Sequence, residues 1–384
     1  MMSFAKFGND LYTGRRQFDI VGRRKLWFAI SVVLLALAAV GLFGRGLNLG
    51  LEFKGGSELR VQGVSNMTDY EQRAKDVVRT ATGMNETISV TKLGTNQIRI
   101  QAKTLGGESG SATSAANTEK VSNALATEFK VPATSVDSSY IGPSWGKTVT
   151  NKAIIALVVF LVLVSVVLAL YFRTWAMAFS ALVALLHDLA FTVGIYALSG
   201  FEVSPATMIG FLTILGYSIY DTVVVFDKVR ENGQEAFATG RRSYAQAANY
   251  AVNQTLVRSI NTSVVALLPV ASILVVGITL LGPGTLLDLA LALFIGIAVG
   301  TYSSIFIATP LLVFLRNREP GVQELSRRAA QYQAATGTSD ADDDSAEVSS
   351  GVVDPEREKE LAAARAERAS RKREVHPWAT KDTE

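Results

Sequence analysis

Two carboxylates stand in this chain where carboxylates are costly. Asp188 follows His187 in the apolar run Ala184-Leu-Leu-His-Asp188, and Asp221 lies within Gly216-Tyr-Ser-Ile-Tyr-Asp221. An ionised side chain at the middle of a membrane span costs at least ~2.5–3.5 kcal/mol on insertion scales, so it implies a function or a neutralising partner. The chemistry open to such groups is proton transfer. Thr213, Tyr217 and Asp221 recur at i, i+4 and i+8 on one helical face, and Asp227 and Arg230 continue from its inner end. A buried carboxyl, an arginine that compensates its charge and hydroxyls that pass protons are the parts of a relay. The candidate relay is therefore Asp188, Asp221, Asp227, Arg230 and His187. The same residues could instead serve as hydrogen-bonding glue between helices. Asp288, three positions after Thr285, fits a capping residue at a helix start better than a relay member.

Composition narrows the alternatives. The 384 residues include no cysteine, which removes disulfide scaffolds, thiolate zinc sites, iron-sulfur clusters and cysteine nucleophiles together. No cofactor and no metal is expected. A net charge of +3 is too small to point to nucleic acid.

The elements that must position these residues are membrane spans. Apolar runs near the ~20 residues that cross a bilayer predict helices at 26–43, 154–172, 175–198, 203–226, 260–281 and 286–315. Asp188 falls near the middle of the third span and Asp221 toward the inner end of the fourth. Six basic residues precede the first span (Lys6, Arg15, Arg16, Arg23, Arg24, Lys25), and the 227–258 loop holds Lys228, Arg230, Arg241, Arg242 and Arg258. Lys and Arg favour the cytoplasmic side, so both termini are expected there, with the 1–25 segment inside and 47–150 outside. The first apolar run is too long for a cleavable signal and is expected to stay as an anchor.

Residues 47–150 read as a domain of their own. Alternation at 57–61, 87–93, 97–102 and 135–140 predicts strands, while helical spacing covers 68–80 and 118–129. The order strand, helix, strand, strand, helix, strand suggests a ferredoxin-like α+β sandwich, interrupted by a flexible glycine-rich stretch at 106–110. The fold class expected is thus an α-helical polytopic membrane protein, with six transmembrane helices plus a small extracytoplasmic α+β domain. After Leu315 the composition changes to twelve basic and fifteen acidic residues in 316–384, which predicts a charged, largely disordered cytoplasmic tail with a solvated helix at 355–374.

Several motifs in order give these elements a family likeness. They are Phe18-Asp-Ile-Val-Gly-Arg-Arg-Lys25, Gly46-Leu-Asn-Leu-Gly-Leu-Glu-Phe-Lys-Gly-Gly56, Ile141-Gly-Pro-Ser-Trp-Gly-Lys147, Ala184-Leu-Leu-His-Asp188 and Gly216-Tyr-Ser-Ile-Tyr-Asp-Thr-Val-Val-Val-Phe-Asp-Lys-Val-Arg-Glu-Asn232. In these the chain resembles the SecF family, the smaller partners of SecD in bacterial protein export, within the resistance-nodulation-division superfamily. Glu52 stands where that family usually has Asp, and Tyr220 where many members have Asn. The resemblance implies a six-helix unit that pairs with SecD beside the SecYEG channel in the cytoplasmic membrane. Such a unit uses the proton-motive force, with no nucleotide of its own, to help an unfolded preprotein finish crossing the bilayer after SecA has acted. It places the proton-coupling carboxylate on Asp188 and its electrostatic partner region on Asp221, Asp227 and Arg230.

Other readings compete. A proton-driven lipid or drug exporter of the same superfamily would usually carry both halves in one chain with larger outer domains. An intramembrane aspartyl protease resembles its kin in a Gly-x-Gly-Asp motif that this chain lacks, and its two acids must share one depth. A scaffold with silent carboxylates would be indifferent to the proton gradient. The chain is expected to be no enzyme.

Overall fold

The computed structural model describes Leu11, Thr13 and residues 16–336, except 84–87, 103–104, 106–111, 173 and 282–283. In chain order, α1 (Arg24–Gly44) is followed by β1 (Asn48–Leu49), the single turn α2 (Leu51–Lys54), β2 (Gly56–Gln62), α3 (Tyr70–Thr82), β3 (Ile88–Leu93), β4 (Gln97–Ala102), α4 (Ala112–Phe129) and β5 (Val136–Ile141). Then come α5 (Pro143–Phe172), α6 (Trp175–Ser199), β6 (Glu202–Val203), α7 (Pro205–Thr239), α8 (Tyr244–Val276), α9 (Thr285–Ser303), α10 (Thr309–Arg316) and α11 (Pro320–Thr336). α8 runs into a π-helical segment at Gly277–Leu281, and a second one at Ser304–Ala308 joins α9 to α10. Among the described residues six helical stretches are long and apolar enough to cross a membrane: α1, α5, α6, α7, α8 with the first π segment, and α9 through α10. A helix is the natural form for such runs, because it satisfies its own backbone where no water can.

Helix α8 begins at Tyr244, well before the apolar run at 260–281. Hydropathy marks where a helix enters lipid, and the polar turns before it are helical as well. This brings Arg258, taken from sequence as part of a loop, into the interior of α8. Pro269 also lies inside α8.

The chain divides into two compact units, one formed by Ala29–Tyr220 with Asn261–Ser303, the other by Met1–Phe28, Asp221–Ile260 and Ser304–Glu384. The first contains the α+β domain. Its strands form an antiparallel sheet in the order β3-β4-β2-β5, which is the ferredoxin-like arrangement. Leu59 and Val61 of β2 and Ile98 and Ile100 of β4 point from one sheet face into a core closed by Ala74 and Val78 of α3 and Val121, Leu125 and Phe129 of α4. The alternate residues Glu58, Arg60, Arg99 and Gln101 make the other face polar, as a period of two requires. The glycine-rich stretch at 106–110 lies outside the described residues.

A short parallel pairing anchors the base of this domain. Asn48 and Leu49 of β1 pair with Glu202 and Val203 of β6, in the turn between α6 and α7. The Gly50 N–H donates to Val203 O at 2.9 Å and the Arg45 guanidinium to Leu198 O at 2.9 Å. On the polar face of the sheet, Arg99 forms a 2.5 Å ion pair with Glu202. Gly55 (φ 74°, ψ 161°) occupies backbone space that only glycine reaches cheaply. A Cβ on Gly146 of α5 would sit 2.5 Å from the Phe53 carbonyl oxygen, so the turn α2 and the start of α5 touch backbone to backbone. The motifs 46–56 and 141–147, separate in sequence, are therefore one piece of packing.

In the second unit, the segment before α1 lies along α8. The Phe18 N–H donates to Asn253 Oδ1 at 2.7 Å, and the Ile20 and Val21 N–H groups donate to Asn249 Oδ1 at 2.9 and 3.1 Å. The residues read as a largely disordered tail begin instead with α11, whose Val322, Leu325 and Ala329 are buried. The i, i+3, i+7 spacing of these three makes a narrow apolar stripe, which the charged composition around it conceals. A Cβ on Gly240 would lie 2.7 Å from the Arg328 guanidinium, and Arg241 stacks over Tyr332 at 5.6 Å, which fixes α11 against the turn between α7 and α8. The run at 355–374 lies outside the described residues.

Candidate functional site

Asp188 lies midway along α6 and is 1% exposed. Its Oδ2 accepts two hydroxyl hydrogen bonds, from Ser218 of α7 at 2.5 Å and from Ser303 at the end of α9 at 2.7 Å. Its Oδ1 faces His187 Nδ1 at 3.2 Å, and His187 Nε2 faces the Ser31 hydroxyl of α1 at 3.1 Å. Four helices thus supply the surroundings of one carboxyl. The nearest titratable partner in this set is the histidine beside it, and the ring is buried between Phe191 and Tyr302 at centroid distances of 6.2 and 6.4 Å. Gly300 leaves room for the group: a Cβ there would come within 3.6 Å of Asp188 Oδ2 and 3.1 Å of Ser218 Cβ.

The sequence places these groups by helical spacing. Gly296, Gly300 and Ser303 lie on one face of α9, and a Cβ on Gly296 would collide with Ile214 of α7. Small residues let α9 approach closely, so that Ser303 reaches Asp188. The adjacent His187 shares the site because its ring folds back onto the carboxyl of the next residue, a contact that helical phase alone does not suggest.

Asp221 lies in the other unit and is built on the same plan. It is 4% exposed, and its Oδ1 accepts from Ser259 of α8 at 2.6 Å, its Oδ2 from Ser304 of the π segment at 2.5 Å. The Arg258 guanidinium acts on it electrostatically. π segments often mark functional positions, since their wider turn redirects side chains and backbone groups.

The structure groups the other candidates differently. Counting 3.6 residues per turn, Asp227 is rotated about 240° and Arg230 about 180° from Asp221 on the same helix. Arg230 is exposed and Asp227 half-buried. The cation that accompanies Asp221 is thus Arg258. Tyr217 reaches Ser263 at 3.4 Å, and Ser263 in turn receives the Thr301 hydroxyl at 2.6 Å, while Tyr220 is 57% exposed. Asp288 stands in the first turn of α9, where Ser204, Glu202, Arg99 and Glu52 act on it. Among the described residues no group of three His, Cys, Asp or Glu side chains could hold a metal ion.

Sequence reasoning found the carboxylates and missed the groups around them: Ser218, Ser303, Ser259 and Ser304 donate to them, Ser31 meets His187, and Arg258 acts on Asp221 electrostatically. One signal was available for two of them, since Ser303 and Ser304 close a row of four hydroxyl residues, Thr301-Tyr-Ser-Ser304, within an apolar stretch.

Comparison with known proteins gives this arrangement its context. Residues 120–318 match the family described as protein export membrane protein SecD/SecF, C-terminal, and residues 40–63 match the SecD/SecF GG motif. The chain is 43% identical over 334 residues to protein translocase subunit SecF of Streptomyces coelicolor, covering 87% of this chain and 86% of that one. It is 43% identical over 355 residues to SecF of Mycobacterium tuberculosis, covering 89% of this chain and 77% of the relative. The crystal structure of SecDF, a translocon-associated membrane protein from Thermus thermophilus, superposes with a TM-score of 0.66 at 31% identity. That match covers 79% of this chain and spans 39% of the SecDF chain.

Proposed function

Since the chain belongs to the SecD/SecF family of protein-export membrane proteins, as a SecF-type accessory subunit of the Sec protein translocase, we propose that it couples the proton-motive force to late steps of preprotein translocation. In this reading it is a proton-driven subunit and not an enzyme. It resides in the cytoplasmic membrane with both termini in the cytoplasm, and it forms a working unit with SecD beside the SecYEG channel, acting on preprotein that SecA has already moved. The likeness to one part of a longer SecDF chain supports the SecD pairing.

One observation carries the reading. Asp188 is a carboxyl with 1% exposure whose oxygens meet hydroxyls and a histidine. Hydroxyls stabilise a carboxylate by donation and a carboxylic acid by acceptance, so this environment admits both protonation states. A fixed salt bridge to Lys or Arg would hold only one. Moving a proton through a membrane potential yields ~2.3 kcal/mol per 100 mV, enough to shift a conformational equilibrium by more than tenfold and far less than needed to unfold a cargo in one step. In the same reading Asp221, on which the Arg258 guanidinium acts electrostatically, is a second station. Asp227 and Arg230 belong to the outer rim of that station.

The test is export into inverted membrane vesicles under an imposed proton gradient. Asp188→Asn fixes the neutral state at nearly constant size. It is expected to keep insertion and SecD binding while removing the stimulation of export by the gradient. Full retention of that stimulation would return Asp188 to the role of helix glue and favour a scaffold.

A further inference from the structure

Arg24 opens α1 and Arg318 stands just past the end of α10, yet both guanidiniums lie over one side chain. Arg24 Cζ is 6.0 Å and Arg318 Cζ 5.5 Å from the centroid of the Phe314 ring. All three residues belong to the same compact unit. The first apolar span therefore begins, and the last one ends, at the same surface of the bilayer, as an even number of crossings requires. Phe314 is exposed, and so is Leu26, two residues into α1 from Arg24. Exposed aromatic rings at the end of a span sit at the level of the lipid headgroups, where one side is apolar and the other wet.

Charge around this ring is one-sided. Arg23 and Lys25 flank Arg24, and both are exposed. Among the described residues none of Arg23, Arg24, Lys25 and Arg318 forms an ion pair with a carboxylate. The acids nearest to them in sequence are engaged otherwise. Asp19 Oδ1 accepts the Gly22 N–H at 2.8 Å, and Glu319 takes the Arg316 guanidinium at 3.0 Å. Four like charges without a counter-charge repel one another, and a bound anion relieves that repulsion.

We propose that this end of the protein binds the headgroup of an anionic phospholipid, with Arg24 and Arg318 holding the phosphate oxygens. A guanidinium seated over an aromatic ring keeps its N–H edge for other partners, and that edge matches two phosphate oxygens at once. Phe314 and Leu26 meet the glycerol and the first acyl carbons. A soluble anion would satisfy the charge but leave these two apolar side chains uncovered, so the occupant is a lipid. A zwitterionic headgroup carries its own cation and gains less from the cluster. The bound lipid joins the start of the first span to the end of the last, and it does so whether or not the chain moves protons.

The experiment titrates phosphatidylglycerol into the purified full chain in mild detergent and counts bound lipid by native mass spectrometry, with phosphatidylcholine and inorganic phosphate as the other probes. Arg318→Gln is expected to weaken phosphatidylglycerol retention about fivefold, and Arg24→Gln with Arg318→Gln roughly twenty-five-fold, the size expected for cations beside an anionic headgroup. Arg24→Lys with Arg318→Lys keeps the charge without the planar fork and should lose less. Phosphatidylcholine should bind every variant alike. Arg23→Gln with Lys25→Gln removes charge beside the ring and not over it, so its cost should be the smaller. Equal loss in the two glutamine double variants would mean diffuse attraction to a basic surface and would overturn the site. Phosphatidylglycerol retained unchanged in Arg24→Gln with Arg318→Gln overturns it as well. Inorganic phosphate should displace no more lipid than chloride does at the same ionic strength; if it displaces more, the cluster takes a free anion and the lipid assignment falls. Should the double variant not fold, Arg318→Gln, exposed beyond the end of α10, carries the test alone.

Discussion

Ser303, the last residue of α9, donates its hydroxyl to Asp188 Oδ2 at 2.7 Å, on the same oxygen that Ser218 reaches from α7. Three helices are pinned at one atom, so the site's polarity and the packing of α6, α7 and α9 are the same interaction seen from two sides.

The first prediction concerns that pin. Ser303→Ala removes one of two donors to a buried carboxyl and is expected to destabilise the protein by about 1.5–3 kcal/mol, the range for a hydrogen bond to a charged group. Ser303→Thr keeps the hydroxyl and should recover most of the loss. Thermal unfolding of the purified protein in mild detergent measures both; equal stability of the Ala and wild-type proteins would show that the bond contributes nothing.

Gly300 provides a second test. Its missing Cβ would stand 3.1 Å from Ser218 Cβ, so Gly300→Ala demands a shift of a few tenths of an ångström and Gly300→Val much more. The expected costs are about 1 kcal/mol for Ala and up to about 3 kcal/mol for Val, as for other overpacked sites. Gradient-stimulated export should fall in the same order, because the side chain displaced is a donor to Asp188. A valine variant with normal export would mean that the close approach of α9 is dispensable.

What the sequence made legible follows from cost. Asp188 and Asp221 stood out because nothing apolar explains them, and the strands of the α+β domain because their alternation has no other use. The serines did not stand out, since a hydroxyl within a helix usually bonds the carbonyl four residues earlier, as Thr192, Thr255 and Ser272 do here. Ser218 looks no different in sequence. Arg258 was hidden by a related ambiguity: a basic residue just before an apolar run reads as the edge of a loop, and only the start of α8 at Tyr244 shows it inside a helix. Arg230 was the opposite case, conspicuous in the motif yet about 180° around the helix from Asp221.

The third prediction concerns the anchoring of the α+β domain. Arg99 and Glu202 form an ion pair with side chains 13% and 20% exposed. A double-mutant cycle of Arg99→Ala and Glu202→Ala is expected to give a coupling of about 0.5–3 kcal/mol, the range for residues in direct contact. It should shrink only modestly in high salt, because partial burial limits screening. A coupling near zero would mean the pair merely records proximity.

A fourth prediction follows from backbone geometry. Gly55→Ala forces a side chain into φ 74°, ψ 161° and is expected to cost about 1–3 kcal/mol. Gly44→Ala, where an added Cβ meets nothing within 4 Å, is the control and should be close to neutral. Comparable loss in both would point to a general intolerance around α1 and not to strain at the turn.

The pairing of β1 with β6 bears on the order in which the protein is made. Asn48 reaches Gly200, 152 positions later, so that clasp has no partner until α6 has been synthesised and inserted. The sheet of the α+β domain, by contrast, is complete when β5 ends at Ile141. Chains are elongated at ~5–20 residues per second, which leaves the domain an interval of seconds in which to fold before its mooring exists. A nascent chain arrested between Ile141 and Glu202 would therefore carry a finished domain on an unfastened tether.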